Sequence, residues 1–127
     1  MEKIVWLPEY DTGIEAVDRQ HKHLVSLINR LEDINSSGYV LEELGLYVKE
    51  HFRLEEQLLR EAKYPDFDAH KKQHRSFEEW LSAVRQAFNA SGSTSHLMTE
   101  SVRLYLQSWL LNHILKSDRD YVAFVKP

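Results

Sequence analysis

The chain has 127 residues, 43% of them hydrophobic and 28% charged, which suits one globular domain built on one core. A formal net charge of −4 without any basic run argues against a nucleic-acid binder, and no apolar run reaches the roughly 18 residues of a membrane span. Cysteine is absent, which excludes disulfides, iron–sulfur clusters and thiolate zinc sites together. The segment from Met1 to Pro8 has neither the apolar stretch nor the small-residue cleavage site of a secretory signal, so the expected compartment is the cytoplasm.

Glycine and proline are scarce, and the long segments carry helical rather than two-residue periodicity. After an N-terminal arm, residues 1–15, a first helix is predicted at 16–36, ended by Asn35-Ser36-Ser37-Gly38. A second is predicted at 39–63, ended by Tyr64-Pro65-Asp66, and a third at 67–90 with Asp66 as its N-cap. Ala90-Ser91-Gly92-Ser93-Thr94 sets off a fourth at 95–117, and the residues after Ser117 are read as a short C-terminal tail. Short connections between long helices imply antiparallel neighbours. The expected fold is therefore all-α: a single domain over 1–127, an up-down-up-down antiparallel four-helix bundle.

The core seams of these helices hold the chemistry. In the third, Phe67, His70, His74, Phe77, Leu81, Val84 and Phe88 follow one another at steps of three and four. The second gives Leu41, Leu44, Val48, His51, Glu55, Leu58 and Ala62. The first gives His21, Leu24, Ile28 and Leu31, and the fourth Val102, Leu106, Leu110 and His113. Every helix thus puts at least one histidine where a bundle would place leucine.

One buried histidine is usually a core residue bonded to a neighbour, but five with a buried glutamate are another matter. An unpaired buried carboxylate is very costly, and unsatisfied imidazoles add a few kcal/mol each. A metal removes that cost by taking both as ligands. His51 and Glu55, like His70 and His74, lie four apart and project from adjacent turns of one face. In an antiparallel bundle the starts of helices one and three share an end with the finishes of two and four. All the candidate ligands then gather at one end.

The segments Asp18-Arg19-Gln20-His21-Lys22, His51-Phe52-Arg53-Leu54-Glu55-Glu56, His70-Lys71-Lys72-Gln73-His74 and His113-Ile114-Leu115-Lys116-Ser117-Asp118 resemble the hemerythrin pattern, with Trp6, Gly13 and Ile14 similar to its N-terminal arm. The resemblance implies a non-haem centre of two iron ions with a bridging oxo or hydroxo group. It assigns His70, His74 and His113 to one iron, His21 and His51 to the other, and Glu55 and Asp118 to both. Glu56 lies about 100° further round the helix and fits that face less well than Glu55. Asp118 is chosen by the resemblance alone: five residues beyond His113 is about 140° off its face in an ideal α-helix, whereas Asp120 returns to it. A wide turn or a helix end must then separate His113 from Asp118.

Two octahedral irons offer about twelve positions, of which five histidines, two bridging carboxylates and one bridging oxygen fill all but one. The resemblance places that opening on the iron with two histidines and implies reversible dioxygen binding there. An oxygen carrier, store or sensor is therefore expected rather than an enzyme. A diiron enzyme acting on peroxide or nitric oxide, or an iron store, is the alternative. A protein partner for oxygen or iron delivery is not readable. Trp109 and Leu110 lie one turn before His113 and are expected to line the oxygen pocket, plain core being the other reading; Ile114 is read as core. His23 and His96 are read as surface residues, Trp80 and Tyr105 as packing.

Overall fold

The N-terminal arm is fastened to the first helix at both ends. The Asn29 side chain accepts from Ile4 N at 2.8 Å and donates to Ile4 O at 2.9 Å, while Trp6 Nε1 donates to Asp11 Oδ1. Helix α1, Glu15–Asn29, begins without a side-chain cap on Ile14. Asp18 reaches back instead: its Oδ1 accepts from Thr12 N and Oγ1, both at 2.8 Å, and its Oδ2 accepts from Gly13 N at 3.1 Å. Gly13 takes a φ of 87°, a conformation that costs glycine little. This carboxylate, in the first turn and about one turn before His21, also suits the helix dipole and fixes the helix start.

The computed structural model describes residues 4–32, 37–91 and 96–125, with the side chains at 32, 37, 38, 89–91, 96–99 and 115 outside that description. After α1 come a short 3-10 turn, Arg30–Glu32, then α2, Ser37–Glu61, α3, Phe67–Ser91, and α4, His96–Asn112. Helix α2 packs against α1 and α3, and α4 packs against α1, giving the four-helix bundle. His96 opens α4, one residue after the predicted start at 95, and its side chain is outside the described residues.

The end of α2 sets the bend towards α3. Lys63 adopts a φ of 56°, Lys63 N donates to Arg60 O, and Tyr64 N donates to Leu59 O. That pair of bonds is a Schellman-type stop, and the buried Leu59 and Tyr64 supply its apolar contact. Phe67 follows Asp66 as the first residue of α3, where the sequence placed it.

The C-terminal residues differ from expectation. The chain does not leave the bundle after Ser117. It winds as a π-helix over His113–Asp118 and continues into α5, Arg119–Val125. Tyr121 and Val125 of α5 join Leu59 and Tyr64 in a second apolar cluster. The first and larger cluster runs along the bundle through Leu24, Ile28, Leu44, Val48, Phe77, Leu81 and Leu106. One seam position also moves: Leu59 is fully buried and Leu58 only half-buried, so the seam steps by four after Glu55 rather than three.

Candidate metal centre

Seven polar side chains lie at one end of the bundle, between the two apolar clusters. His21, His51, Glu55, His70, His74, His113 and Asp118 are each 0–4% exposed. Their ligand-type atoms form two groups, each within 4.8 Å: Glu55 with His70, His74 and His113, and Glu55 with His21, His51 and Asp118. Glu55 belongs to both. Its Oε1 is 3.2 Å from His51 Nε2, 3.3 Å from His74 Nε2 and 3.8 Å from His113 Nε2.

Asp118 spans the two groups with its two oxygens. Oδ1 lies 3.0 Å from His113 Nε2 and 3.3 Å from His70 Nε2, and Oδ2 lies 2.9 Å from His21 Nε2. The π-helix explains how it gets there. An i→i+5 turn carries more residues per turn than an α-helix, so Asp118 returns to the face of His113. Asp120, the residue that α-helical periodicity favoured, is exposed.

The donors fit a pair of cations better than they fit one another. His21 Nδ1 and Nε2, His51 Nε2, His70 Nε2, Glu55 Oε1 and both Asp118 oxygens are buried without a hydrogen bond of acceptable geometry, although charged neighbours stand close. Two tautomers are set from outside. His51 Nδ1 donates to Gln20 Oε1 at 2.7 Å, and His74 Nδ1 donates to Glu56 Oε2 at 2.9 Å. A neutral ring held this way turns its Nε2 lone pair inward, as a metal ligand requires. His74 Nε2 and His113 Nε2 then meet at 3.2 Å, a distance at which two lone pairs repel unless a cation or a proton lies between them.

Titration reflects the same crowding. Burial works to lower the His113 imidazole, but the Asp118 carboxylate beside it overrides this and holds it up to about 10. Burial lowers His51 further than Glu55 raises it. Burial raises Glu55 and Asp118, yet the surrounding imidazoles win and hold both below the ordinary carboxylate range, His51 acting most on Glu55 and His113 on Asp118.

An aromatic and apolar wall closes the centre on the core side. Phe52 stacks on His74 with ring centres 3.7 Å apart, and Trp109 stacks on both His113 and Phe77. Beside it is an apolar cavity of about 10 Å³ bounded by Leu24, Val48, Phe52, Phe77, Trp109 and Leu110, among others. Both residues expected at an oxygen pocket thus face this cavity, while Ile114 is packed into the main core. His23 is exposed against the Tyr47 ring, and Trp80 and Tyr105 pack on each other.

Three residues at the centre were given no role from the sequence, Glu56 having been set aside there in favour of Glu55. Tyr121 is fully buried and its hydroxyl donates to Glu55 Oε2 at 2.6 Å. Gln20 and Glu56 hold histidine rings from behind. Tyr121 was hidden because the tail was not read as helix; as a helix it places Tyr121 one turn beyond Asp118.

Fold and centre together define a four-helix-bundle protein with a buried histidine–carboxylate cluster able to hold cations. A family model described as the hemerythrin HHE cation binding domain matches residues 12–125. The chain belongs to the hemerythrin family. It is 36% identical to a bacteriohemerythrin of Pseudomonas aeruginosa over 99% of this chain and 84% of that protein, and 30% identical to a myohemerythrin of Theromyzon tessulatum over 91% and 88%. Its structure is similar to the crystal structure of a wild-type hemerythrin, with a TM-score of 0.84 at 29% identity over 98% of both chains. A mutant of a hemerythrin gives 0.85 at 28% identity over the full length of both. No helix among the described residues is long and apolar enough to cross a membrane.

Proposed function

We propose that this protein binds dioxygen reversibly at a two-iron centre held by His21, His51, Glu55, His70, His74, His113 and Asp118, as a carrier, store or sensor rather than an enzyme. The observation that carries the reading is the pair of donor groups joined through Glu55, with one Asp118 oxygen facing each side. When bound, the iron pair supplies the electrons and the open coordination position that gas binding needs.

The protein's own part is to hold, neutralise and keep dry. His70, His74 and His113 would hold one iron, and His21 and His51 the other, leaving the second side a ligand short. Neutral imidazoles outnumber carboxylates, a donor set that favours ferrous iron over the high-valent states an oxygenase needs. Tyr121 holds the remaining Glu55 oxygen and keeps that carboxylate from turning. Trp109, Leu110 and Phe52 exclude water on the cavity side, which protects a reversible site from loss of its reduced state.

Metal analysis combined with visible spectra of reduced, air-exposed and oxidised samples tests the reading. Two irons per chain and a spectrum that appears in air and vanishes on evacuation are expected. His74→Ala should lower the iron content and His23→Ala should leave it unchanged. Rapid turnover of peroxide or nitric oxide without a stable air-dependent spectrum would favour the enzyme instead; iron uptake without any such spectrum would favour storage.

A further inference from the structure

A second feature lies on the outer surface of the centre, between α2 and α3. A cleft of about 250 Å³ is lined by Lys49, Phe52, Arg53, Glu56, Lys71, Arg75 and Glu78. Its cations form two rows, Lys49 and Arg53 on one helix and Lys71 and Arg75 on the other, each pair four residues apart. Like charges at that spacing repel and destabilise a helix by a few tenths of a kcal/mol per pair. Lys49, Arg53 and Arg75 are exposed and have no ion-pair partner among the described residues. Lys71 leans on the Phe67 ring. Of the two carboxylates present, Glu56 is already engaged by His74.

Three of the four cations thus stand exposed without an ion-pair partner among the described residues, on a chain whose net charge is −4. A positive face on a negative molecule selects and orients an acidic partner. What lies beneath it narrows the partner's class. The floor of the cleft holds Phe52 and Glu56, and both touch the His74 ring, one by coplanar stacking at 3.7 Å and the other by the hydrogen bond to Nδ1. His74 in turn faces Glu55 inside the centre. Electronic coupling decays steeply across gaps, and this route has van der Waals or hydrogen-bond contact at each step.

We propose that this cleft is the docking surface for an acidic electron-carrier protein that keeps the metal centre reduced. The proposal rests on the iron reading above. Each encounter passes one electron from the carrier's reduced cofactor to a ferric iron, leaving the carrier oxidised and the iron ferrous; two encounters restore the pair.

The probe is a reduced flavodoxin, a small acidic one-electron carrier, mixed with the oxidised protein in a stopped-flow instrument at low ionic strength. Combined Arg53→Glu and Arg75→Glu substitution should slow reduction by flavodoxin at least tenfold and leave reduction by a small neutral hydroquinone unchanged. Added salt should slow the wild type and not the variant. Lys22→Glu on α1 should behave as the wild type. Oxidised flavodoxin, followed by flavin fluorescence, should bind the wild type and lose that binding in the double variant. Iron-loaded protein whose reduction and binding ignore the charge reversal overturns the docking surface, as does equal slowing with both reductants. Protein that carries no iron at all sinks the electron-transfer step together with the metal reading, so the two failures are distinguishable.

Discussion

Tyr121 and Glu55 are joined by a 2.6 Å hydrogen bond between two fully buried side chains that lie 66 residues apart. Burial raises the Tyr121 hydroxyl far above its usual range, with Glu55 adding to the effect, so the phenol stays protonated and donates. One carboxylate oxygen of Glu55 is thereby committed, and only Oε1 faces the histidines. Tyr121→Phe removes the donor and keeps the ring. It should cost roughly 1.5–3 kcal/mol, the scale of a hydrogen bond to a charged group. Denaturant unfolding of metal-loaded protein checks this, with iron content expected to stay near the wild-type level. An unchanged stability would mean that Glu55 finds another partner at no cost.

The π-helix makes a second, geometric prediction. Between His113 and Asp118 the chain has one residue more than an α-helical turn needs, and the wide turn absorbs it and so keeps Asp118 on the face of His113. Deleting Lys116, which is exposed, should restore α-helical winding and keep the aspartate four residues from His113. At about 100° per residue four steps turn roughly 400°, so the aspartate stays within about 40° of His113 and α5 keeps Tyr121 turned towards Glu55. Asp118→Asn is the complementary variant, with the π-turn intact and one charge removed. The deletion should therefore keep most of the bound metal, and the substitution should weaken it while α5 stays folded. Metal content and amide exchange in residues 119–125 separate the two. A deletion variant that loses its metal would show that the wide turn is needed for more than facing the aspartate inward.

Much of this was legible in the sequence because buried helical faces repeat. The seams at His21, His51, Glu55, His70, His74 and His113 follow from steps of three and four, and all six are buried. Periodicity could not find Asp118, because the rule assumes 3.6 residues per turn and the chain breaks it there. It preferred Asp120, which is exposed. Family likeness supplied the residue, and the π-turn supplies the reason. The loss of register also hid α5, and with it Tyr121. Lys63 was invisible for another cause: a left-handed stop usually announces itself by glycine, and here lysine occupies it.

The metal-free protein should have a stability maximum close to neutrality. His113 is held up to about 10, so its contribution is complete below its ordinary pKa of 6.5 and is lost as pH rises towards 10. Glu55 and Asp118 are held below the usual range, so theirs is present above about pH 4 and is lost as pH falls. His51 is lowered, so it stabilises when neutral and adds a further loss as pH falls below 6.5. Thermal melts of chelator-treated protein from pH 3 to pH 10 should therefore peak near pH 6–7 and fall on both sides. A melting temperature still rising at pH 9 would contradict the assignment for His113.

Leu110 gives the test that bears on function. It is 4% exposed and shares the apolar cavity with Trp109, whose ring lies on His113. The cavity, about 10 Å³, has about the minimum room for one water and offers it no polar partner along those walls. Leu110→Ala enlarges it and should cost roughly 2–5 kcal/mol in stability, the range for such truncations. The larger space also reaches towards the histidine end, where a water finds acceptors. Gas affinity should change little, because every candidate ligand is untouched. The lifetime of the oxygenated form should fall severalfold, since water beside the centre assists loss of its reduced state. Decay of the air-dependent absorption is to be followed in wild type, Leu110→Ala and the exposed control Glu42→Ala. Faster decay in Leu110→Ala alone supports the cavity as the gas pocket. Equal lifetimes, together with the expected stability loss, would reduce Leu110 to core packing and move the pocket elsewhere on the centre.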